Sequence, residues 1–193
     1  MLDTLQRSPL ADVLGRQTHD LQVDGRPCSL VEIPFVDMLI LRGDAADPHF
    51  ADAVLHASGL PLPLQPNGAS LDPQRQLLWQ GPDEWLLKLR DRQGPAVQAA
   101  LQAALQGLHS AVVDVGHGYT TLMLQGPASA DLLARGCPLD LHPRAFGTGA
   151  LAQSHVAKAS VTLLCLYAGI QYEITVRRSF AHYLARWLCE AGG

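Results

Sequence analysis

Runs of hydrophobic residues, several of them alternating with polar ones, recur along the chain from residue 30 onward and predict β-strands. The first run spans residues 30–41 and contains Pro34, which interrupts a strand or restricts it to a sheet edge. Later runs come in pairs that flank short turn-like segments, and we expect each pair to form a hairpin. The pairs are residues 77–80 and 85–89, 111–115 and 119–124, and 161–167 and 172–176.

Between these strands, four segments have the hydrophobic spacing and end signals of amphipathic helices. The first spans residues 47–59 with Asp47 as its N-cap, the second begins at Gly94, and the third spans residues 127–136. In the fourth, Ser179 is the predicted N-cap. Its predicted buried face has helical spacing and consists of Phe180, Tyr183, Leu184, Trp187 and Leu188.

Two loop segments share glycine, proline and leucine residues at matching offsets. Residues 59–66 read GLPLPLQP, and residues 136–143 read GCPLDLHP. Each segment follows a predicted helix and precedes a predicted hairpin and another helix, which indicates an internal repeat. We therefore predict an α+β fold of two similar βαββα-type halves, residues 30–108 and 110–190, with antiparallel sheets covered by helices.

The N-terminal residues have a different character, because they are polar, contain Pro9 and show no clear hydrophobic period. Termini of this kind are often loosely held unless a partner fixes them. The predicted organisation is an N-terminal arm, residues 1–29, followed by a single α+β domain with internal duplication, residues 30–193.

Composition excludes several classes of protein. Hydrophobic residues make up 48% of the chain and charged residues 17%, which favours a packed core over intrinsic disorder. The net charge is −4 and the densest basic position is the pair Arg177–Arg178, so nucleic acid is not an expected partner. No apolar run is long enough to cross a membrane, and the N-terminus lacks the pattern of a signal peptide, so we expect a cytoplasmic protein.

Cysteine and histidine spacing does not predict a metal site. The cysteines form no Cys-x-x-Cys pair and have no histidine at metal-ligand spacing, so we expect reduced, mostly buried thiols. The cysteines are Cys28, Cys137, Cys165 and Cys189, and the histidines are His19, His49, His56, His109, His117, His142, His155 and His182. Within the repeated loop, we interpret Cys137 as an apolar plug rather than a nucleophile and His142 as a loop residue.

Two places carry candidate acid–base chemistry. Asp83 and Glu84 are adjacent carboxylates, but they fall in a predicted turn, where acidic residues are common. Asp114 lies in an apolar run three residues before His117, and a buried Asp–His couple could act as a general base. A satisfied polar pair or the outward face of a hairpin is the structural alternative, which we favour. Asp114 with His117 is still the best catalytic candidate in the chain.

Arg177 and Arg178 lie between the last predicted strand and the last predicted helix. Because Arg178 precedes the predicted cap Ser179, an anion could bind at that helix N-terminus. Arginine also anchors interfaces through bidentate pairs with carboxylates, and we favour a contact role over a ligand role.

The sequence contains none of the common cofactor or nucleophile motifs. There is no glycine-rich dinucleotide loop, no Walker loop and no Gly-x-Ser-x-Gly segment. This pattern favours an accessory subunit over a free-standing oxidoreductase.

Several segments, taken in order, resemble the sarcosine oxidase gamma subunit family along nearly the whole chain. The most specific are Gly81–Trp85, which reads GPDEW, and Gly136–Leu141, which reads GCPLDL. The others are Ser8–Leu10, Glu32–Phe35, Ala111–Val115 and Val176–Leu184. That family is in turn similar to the folate-binding module of aminomethyltransferases such as the glycine-cleavage T-protein.

The resemblance implies a heterotetramer of alpha, beta, gamma and delta chains that oxidatively demethylates sarcosine to glycine in one-carbon metabolism. It implies FAD, FMN, NAD, tetrahydrofolate and zinc on the other subunits. We therefore assign no catalytic, cofactor-binding or metal-binding residue to this chain. Its expected role is to brace the alpha and beta subunits, with Arg177, Arg178 and the N-terminal arm as contact candidates.

Two alternatives remain open at this point. The chain could be a stand-alone folate-dependent one-carbon transferase that uses Asp114 as its acid/base. It could also be the gamma subunit of a related complex that oxidises another secondary amine, because an accessory chain carries no information about the substrate.

Overall fold

The computed structural model describes residues 7–15 and 17–193. The predicted strands and helices occur in the predicted order, three further strands are present in this part of the chain, and the predicted α+β class is confirmed. The elements are β1 His19–Val23, β2 Arg26–Ile33, β3 Asp37–Arg42, α1 Pro48–Ser58, β4 Ala69–Leu71, β5 Arg75–Gly81, β6 Glu84–Leu89, α2 Gly94–Ala104, β7 Ala111–Asp114, β8 Tyr119–Gln125, α3 Ser129–Ala134, β9 Leu151–Val156, β10 Ala159–Tyr167, β11 Gln171–Arg177 and α4 Arg178–Ala191.

The chain divides into two compact units. We call Phe35–His117 the continuous unit. The discontinuous unit comprises the chain up to Pro34 together with Gly118–Gly193. In the part of the chain that the structure describes, no helix is long and apolar enough to span a membrane.

Each unit contains one antiparallel sheet, and the two sheets have corresponding strand orders. The sheet of the discontinuous unit is ordered β1-β2-β8-β11-β10-β9, and that of the continuous unit, read from its other edge, is β7-β3-β6-β5-β4. Apart from the additional β1, each strand of one sheet has a counterpart at the same position in the other. This correspondence supports the predicted internal duplication.

The two units do not coincide with the predicted halves, residues 30–108 and 110–190. The first strand of each predicted half belongs to the sheet that is otherwise built from the other half. β2 precedes β3 in the chain but pairs with β8, whereas β7 precedes β8 but pairs with β3. The predicted hairpin of residues 111–115 with 119–124 is therefore wrong. A short 3-10 turn, Gly116–Gly118, connects these strands instead. A single domain over residues 30–193 stays a prediction.

Regular structure begins earlier than the predicted arm, residues 1–29, allows. β1 and β2 pair as an antiparallel hairpin whose turn residues, Asp24 and Gly25, have φ angles of 51° and 77°. Positive φ at both central turn positions matches the twist of the flanking strands, and Asp-Gly is a strong signal for such a turn. Leu10 and Leu14 are also buried. The prediction of a loose arm is therefore wrong for residues 7–15 and 17–29. Residues 1–6 and 16 lie outside the described part of the chain.

The continuous unit packs one face of its sheet against α1 and α2. Leu39 and Leu87 on the sheet are buried in one cluster with Val54 of α1 and Leu101 of α2, as strand alternation and helical spacing require. The predicted ends of α1 are confirmed: Asp47 caps it by accepting the His49 N–H at 2.9 Å, and Gly59 ends it in a left-handed conformation. The predicted hairpin of β5 with β6 is confirmed as well.

The discontinuous unit packs its sheet against α3 and α4. The predicted hairpin of β10 with β11 is confirmed, as is α3 between Pro127 and Gly136. The buried face of α4 differs from the prediction, because it consists of Ala181, Leu184, Ala185 and Leu188. Phe180 and Tyr183 are exposed. The predicted cap at Ser179 is wrong, since α4 begins at Arg178 without a side-chain cap.

Candidate functional site

Asp114 and His117 do not form the couple that the sequence suggests. Asp114 is exposed at the end of β7 and accepts a hydrogen bond from the Gly116 N–H at 2.8 Å, which stabilises the turn. His117 is also exposed. No hydrogen bond or ion pair between the two side chains is present in residues 17–193. This geometry favours the structural interpretation of Asp114, and the assignment of no catalytic residue stays a prediction.

Asp83 and Glu84 share one cation across neighbouring strands. Nη2 of Arg42 lies 2.8 Å from Oδ2 of Asp83, and its Nε lies 3.4 Å from Oε2 of Glu84. Arg42 and Asp83 are exposed and Glu84 is partly exposed, so these ion pairs contribute little to stability. The carboxylates reinforce the turn between β5 and β6.

The cysteine thiols are poor nucleophiles in this structure. Cys28, Cys137 and Cys165 are buried and Cys189 is partly buried. Burial raises the pKa of the Cys28, Cys165 and Cys189 thiols, which disfavours the reactive thiolate. Cys137 lies in the core of the discontinuous unit, as expected for a plug. The described residues also contain no group of three or more His, Cys, Asp or Glu side chains that could hold a metal ion.

A buried carboxylate holds the N-terminal segment, residues 7–15, on the discontinuous unit. Glu32 of β2 is only 7% exposed. Its Oε1 accepts a hydrogen bond from the Thr120 hydroxyl at 2.6 Å, and its Oε2 accepts one from the Ser8 hydroxyl. Two hydroxyl donors compensate a carboxylate for much of the water that burial removes.

Helix α4 provides the other side of this attachment. The guanidinium of Arg178 donates to the carbonyl of Arg7 at 3.1 Å, and Nε2 of His182 donates to the carbonyl of Pro9 at 2.6 Å. We call Ser8, Glu32, Thr120, Arg178 and His182 the N-terminal clasp. Two contact candidates from the sequence, Arg178 and the N-terminal arm, are therefore in direct contact with each other.

Arg177 is the residue that precedes α4, and it lies opposite Tyr119 of β8. Its guanidinium carbon is 5.6 Å from the centroid of the Tyr119 ring, which is a cation–π arrangement. The Arg177 side chain is exposed. Arg177 and Arg178 thus extend the surface around the start of α4.

The structure exposes two aromatic side chains of α4, Phe180 and Tyr183, that the sequence prediction assigned to the buried face. We call Phe180, Tyr183 and Arg186 the α4 outer face, because all three are exposed. The signal that could have found it is the spacing of Ala181 and Ala185 with the leucines of α4. Small residues let a helix approach its sheet closely, and they form a second possible buried stripe in the same sequence.

The chain is similar to proteins of known identity along most of its length. The family described as "Sarcosine oxidase, gamma subunit family" matches residues 42–193. Sarcosine oxidase subunit gamma of Corynebacterium sp. (strain U-96) is 33% identical over 194 residues, covering 99% of this chain and 93% of that protein. The subunit gamma of Corynebacterium sp. (strain P-1) is 34% identical over 163 residues, covering 84% of this chain and 78% of that protein.

Solved structures show the same similarity. A chain of the heterotetrameric sarcosine oxidase from Corynebacterium sp. U-96, in complex with pyrrole 2-carboxylate, matches with a TM-score of 0.88 and 32% identity, over 97% of this chain and 94% of that chain. The glycine cleavage system aminomethyltransferase T from Bartonella henselae matches with a TM-score of 0.55 and 17% identity, over 82% of this chain and 44% of that chain. The second likeness shows the fold alone.

Proposed function

Because the chain belongs to the sarcosine oxidase gamma subunit family, we propose that it is the gamma subunit of a heterotetrameric sarcosine oxidase. Such an assembly is an oxidoreductase acting on CH–NH donors, and it demethylates sarcosine oxidatively to glycine. The observation that carries the proposal is the match of 97% of this chain, at a TM-score of 0.88, to a chain of one such oxidase. The role of this chain is accessory and structural.

The partners in this proposal are alpha, beta and delta subunits, and the place of action is the cytoplasm. FAD, FMN, NAD, tetrahydrofolate and zinc belong to those other subunits. Burial raises the pKa of three thiols of this chain, which disfavours a nucleophilic role for them.

Arg177, Arg178 and the N-terminal segment are the proposed contact residues. Arg178 uses one donor for the Arg7 carbonyl, and a guanidinium has further N–H groups that can bind a carboxylate of another subunit. The N-terminal clasp fixes the backbone of residues 7–10 before assembly. A preorganised segment loses less conformational entropy when a partner binds it.

Expression of the chain with and without the alpha and beta subunits tests the accessory role. We expect the chain alone to be colourless and inactive toward sarcosine, whereas the co-purified assembly absorbs as a flavoprotein and oxidises sarcosine. Omitting this chain should lower the yield or stability of the assembly. A chain that oxidises sarcosine unaided, or that purifies with bound flavin, contradicts the proposal.

The alternative of a stand-alone folate-dependent transferase has less support. Its proposed acid/base, Asp114, is exposed and accepts a hydrogen bond from the Gly116 N–H, which gives it a structural role in the turn. Calorimetric titration of the isolated chain with tetrahydrofolate separates the two functions.

The other alternative, a related complex with a different secondary amine as substrate, is decided by assaying the whole assembly with sarcosine and with cyclic amines.

A further inference from the structure

We propose that the α4 outer face, formed by Phe180, Tyr183 and Arg186, docks on an acidic, partly apolar surface of a partner subunit. It rests on the proposed function, since the oxidase assembly supplies that subunit. It goes beyond the function by naming a surface and the chemistry of the surface that fits it.

The apolar part of this face consists of two neighbouring aromatic rings. Phe180 and Tyr183 are 42% and 37% exposed, and they stand three residues apart, so their side chains lie next to each other on α4. The buried face of the helix, which includes Leu184 and Leu188, points into the core. Aromatic side chains that a monomer leaves exposed are typical anchors of protein interfaces.

The helix holds these rings in place before any partner binds. The Tyr183 hydroxyl accepts a hydrogen bond from the Lys158 N–H at 3.4 Å, which links the ring to the turn between β9 and β10. One turn further along, Trp187 fits against Gly136, where an added Cβ would lie 2.5 Å from the indole. An ordered surface of this kind loses little side-chain entropy on docking.

The charges around the face are positive. Lys158, Arg177, Arg178 and Arg186 make no ion pair with any carboxylate in the described residues. Glu190 is the one acidic residue of α4, and it lies in the last turn. The chain as a whole carries a net charge of −4, so this concentration of cations is a local feature.

Several other arginines of the chain form ion pairs with nearby carboxylates. Arg26 pairs with Asp131, and Arg135 lies 3.3 Å from Oδ1 of Asp24. The contrast indicates that the cations at α4 are left for carboxylates of another molecule, because complementary charge steers association and selects partners.

The same charges argue against a second copy of this chain as the occupant. A two-fold symmetric contact through α4 would bring identical surfaces together. Lys158, Arg178 and Arg186 of one copy would then face the same cations of the other, and juxtaposed like charges disfavour binding. An acidic surface on a different subunit has the required complementarity.

Co-purification of the alpha and beta subunits with the tagged full-length chain tests the proposal. The test variants are Phe180→Ser and Arg186→Glu. Their matched controls are Leu64→Ser, at a leucine that is 59% exposed in the continuous unit, and Arg144→Glu, at an exposed arginine away from α4. We expect the test variants to recover about tenfold less alpha and beta subunit, as for interface anchors, and the controls to stay within about twofold of the unaltered chain.

Two further variants of Arg186 separate the effect of its charge on subunit recovery from any effect on folding. Arg186→Lys keeps the charge and should retain recovery, whereas Arg186→Gln removes it and should reproduce part of the loss without reversing the charge. Recovery by the unaltered chain should also fall as salt rises, because exposed charges are screened. The thermal unfolding midpoint of each isolated variant is measured, and Arg186→Gln replaces Arg186→Glu if that variant unfolds early.

The outcomes distinguish this inference from the function on which it rests. If the unaltered chain recovers alpha and beta subunits and the α4 variants recover them equally well, the docking surface is wrong and the gamma subunit function stands. Equal losses in the Leu64 and Arg144 controls also overturn it. A homodimer in sedimentation that the α4 variants abolish identifies a second copy as the occupant and overturns it as well. If the unaltered chain recovers no subunit, both proposals fail.

Discussion

Ser8 donates a hydrogen bond from its hydroxyl to the buried carboxylate of Glu32, 24 positions further along the chain. Glu32 accepts a second hydrogen bond from Thr120, 88 positions away. One side chain thus joins the N-terminal segment, β2 and β8. The N-terminal residues are therefore part of the discontinuous unit before any partner is present.

Replacing Glu32 with alanine should destabilise the chain. The change leaves the Ser8 and Thr120 hydroxyls without their acceptor, and a buried donor without a partner costs about 1–3 kcal/mol. Urea denaturation of the isolated chain measures the loss in the free energy of unfolding. Glu190→Ala, at an exposed glutamate of α4, is the control and should stay within about 0.5 kcal/mol. Equal effects of the two changes would show that the Glu32 hydrogen bonds contribute nothing.

Trp85→Phe should destabilise the continuous unit. Trp85 is fully buried, donates its indole N–H to the Pro63 carbonyl at 2.9 Å, and lies with its ring centroid 5.6 Å from that of Phe50. Phenylalanine leaves the carbonyl unsatisfied and a void beside Phe50, so we expect a loss of about 2 kcal/mol in the free energy of unfolding. Chemical denaturation followed by circular dichroism measures it. Trp79→Phe, at a half-buried site, should cost less, and the reverse order contradicts the prediction.

Gly25→Ala should weaken the hairpin of β1 with β2. Gly25 has a φ of 77°, and an added Cβ would meet no atom within 4 Å, so the whole effect is conformational. A left-handed backbone at alanine costs about 1 kcal/mol. Gly118→Ala is the matched control, because that site is equally open and lacks a positive φ. Thermal unfolding should show a lower midpoint for Gly25→Ala alone, and equal midpoints for the two variants would exclude the turn as the cause.

The stability of the chain should fall in alkaline solution partly through Tyr172. Burial raises the pKa of the Tyr172 phenol from 10.0 to about 12, and the nearby Cys165 thiol makes a smaller contribution in the same direction. Because the folded-state pKa is the higher one, the stabilisation is complete below about pH 10 and is lost as the pH rises toward about 12.

Tyr172→Phe provides the measurement for this pH dependence. Denaturation at a series of pH values from about 9 to about 12 should show a shallower decline for the variant than for the unaltered chain, because the variant has no phenol to ionise. The variant also removes the acceptor of the Gly169 N–H, which lowers stability by a similar amount at every pH in the series. Parallel declines of the two proteins would show that Tyr172 does not titrate in this way.

Local signals in the sequence were sufficient for most of the elements and their limits. Asp47 and Gly59 mark the ends of α1 because capping and a left-handed terminus depend only on neighbouring residues. The hairpin of β1 with β2 was predictable in the same way from its Asp-Gly turn, although the prediction placed an arm there.

The position of the aromatic side chains of α4 could not be decided from spacing. Phe180 and Tyr183 fit a helical stripe as well as Ala181 and Ala185 do, and hydrophobicity favours the aromatic pair. Packing decides between the two stripes, because a helix bearing small residues can lie close to the sheet. The exposed aromatic residues are therefore a result of the tertiary structure.

The sequence by itself determined the family, the α+β class and the order of strands and helices, because these follow from local pattern and from segment similarity. The tertiary structure alone decided that β2 pairs with β8 and β7 with β3, and that Asp114 lies exposed at a turn. Strand pairing joins segments distant in the chain, and burial depends on all the surfaces around a residue. Neither quantity is contained in a window of neighbouring residues.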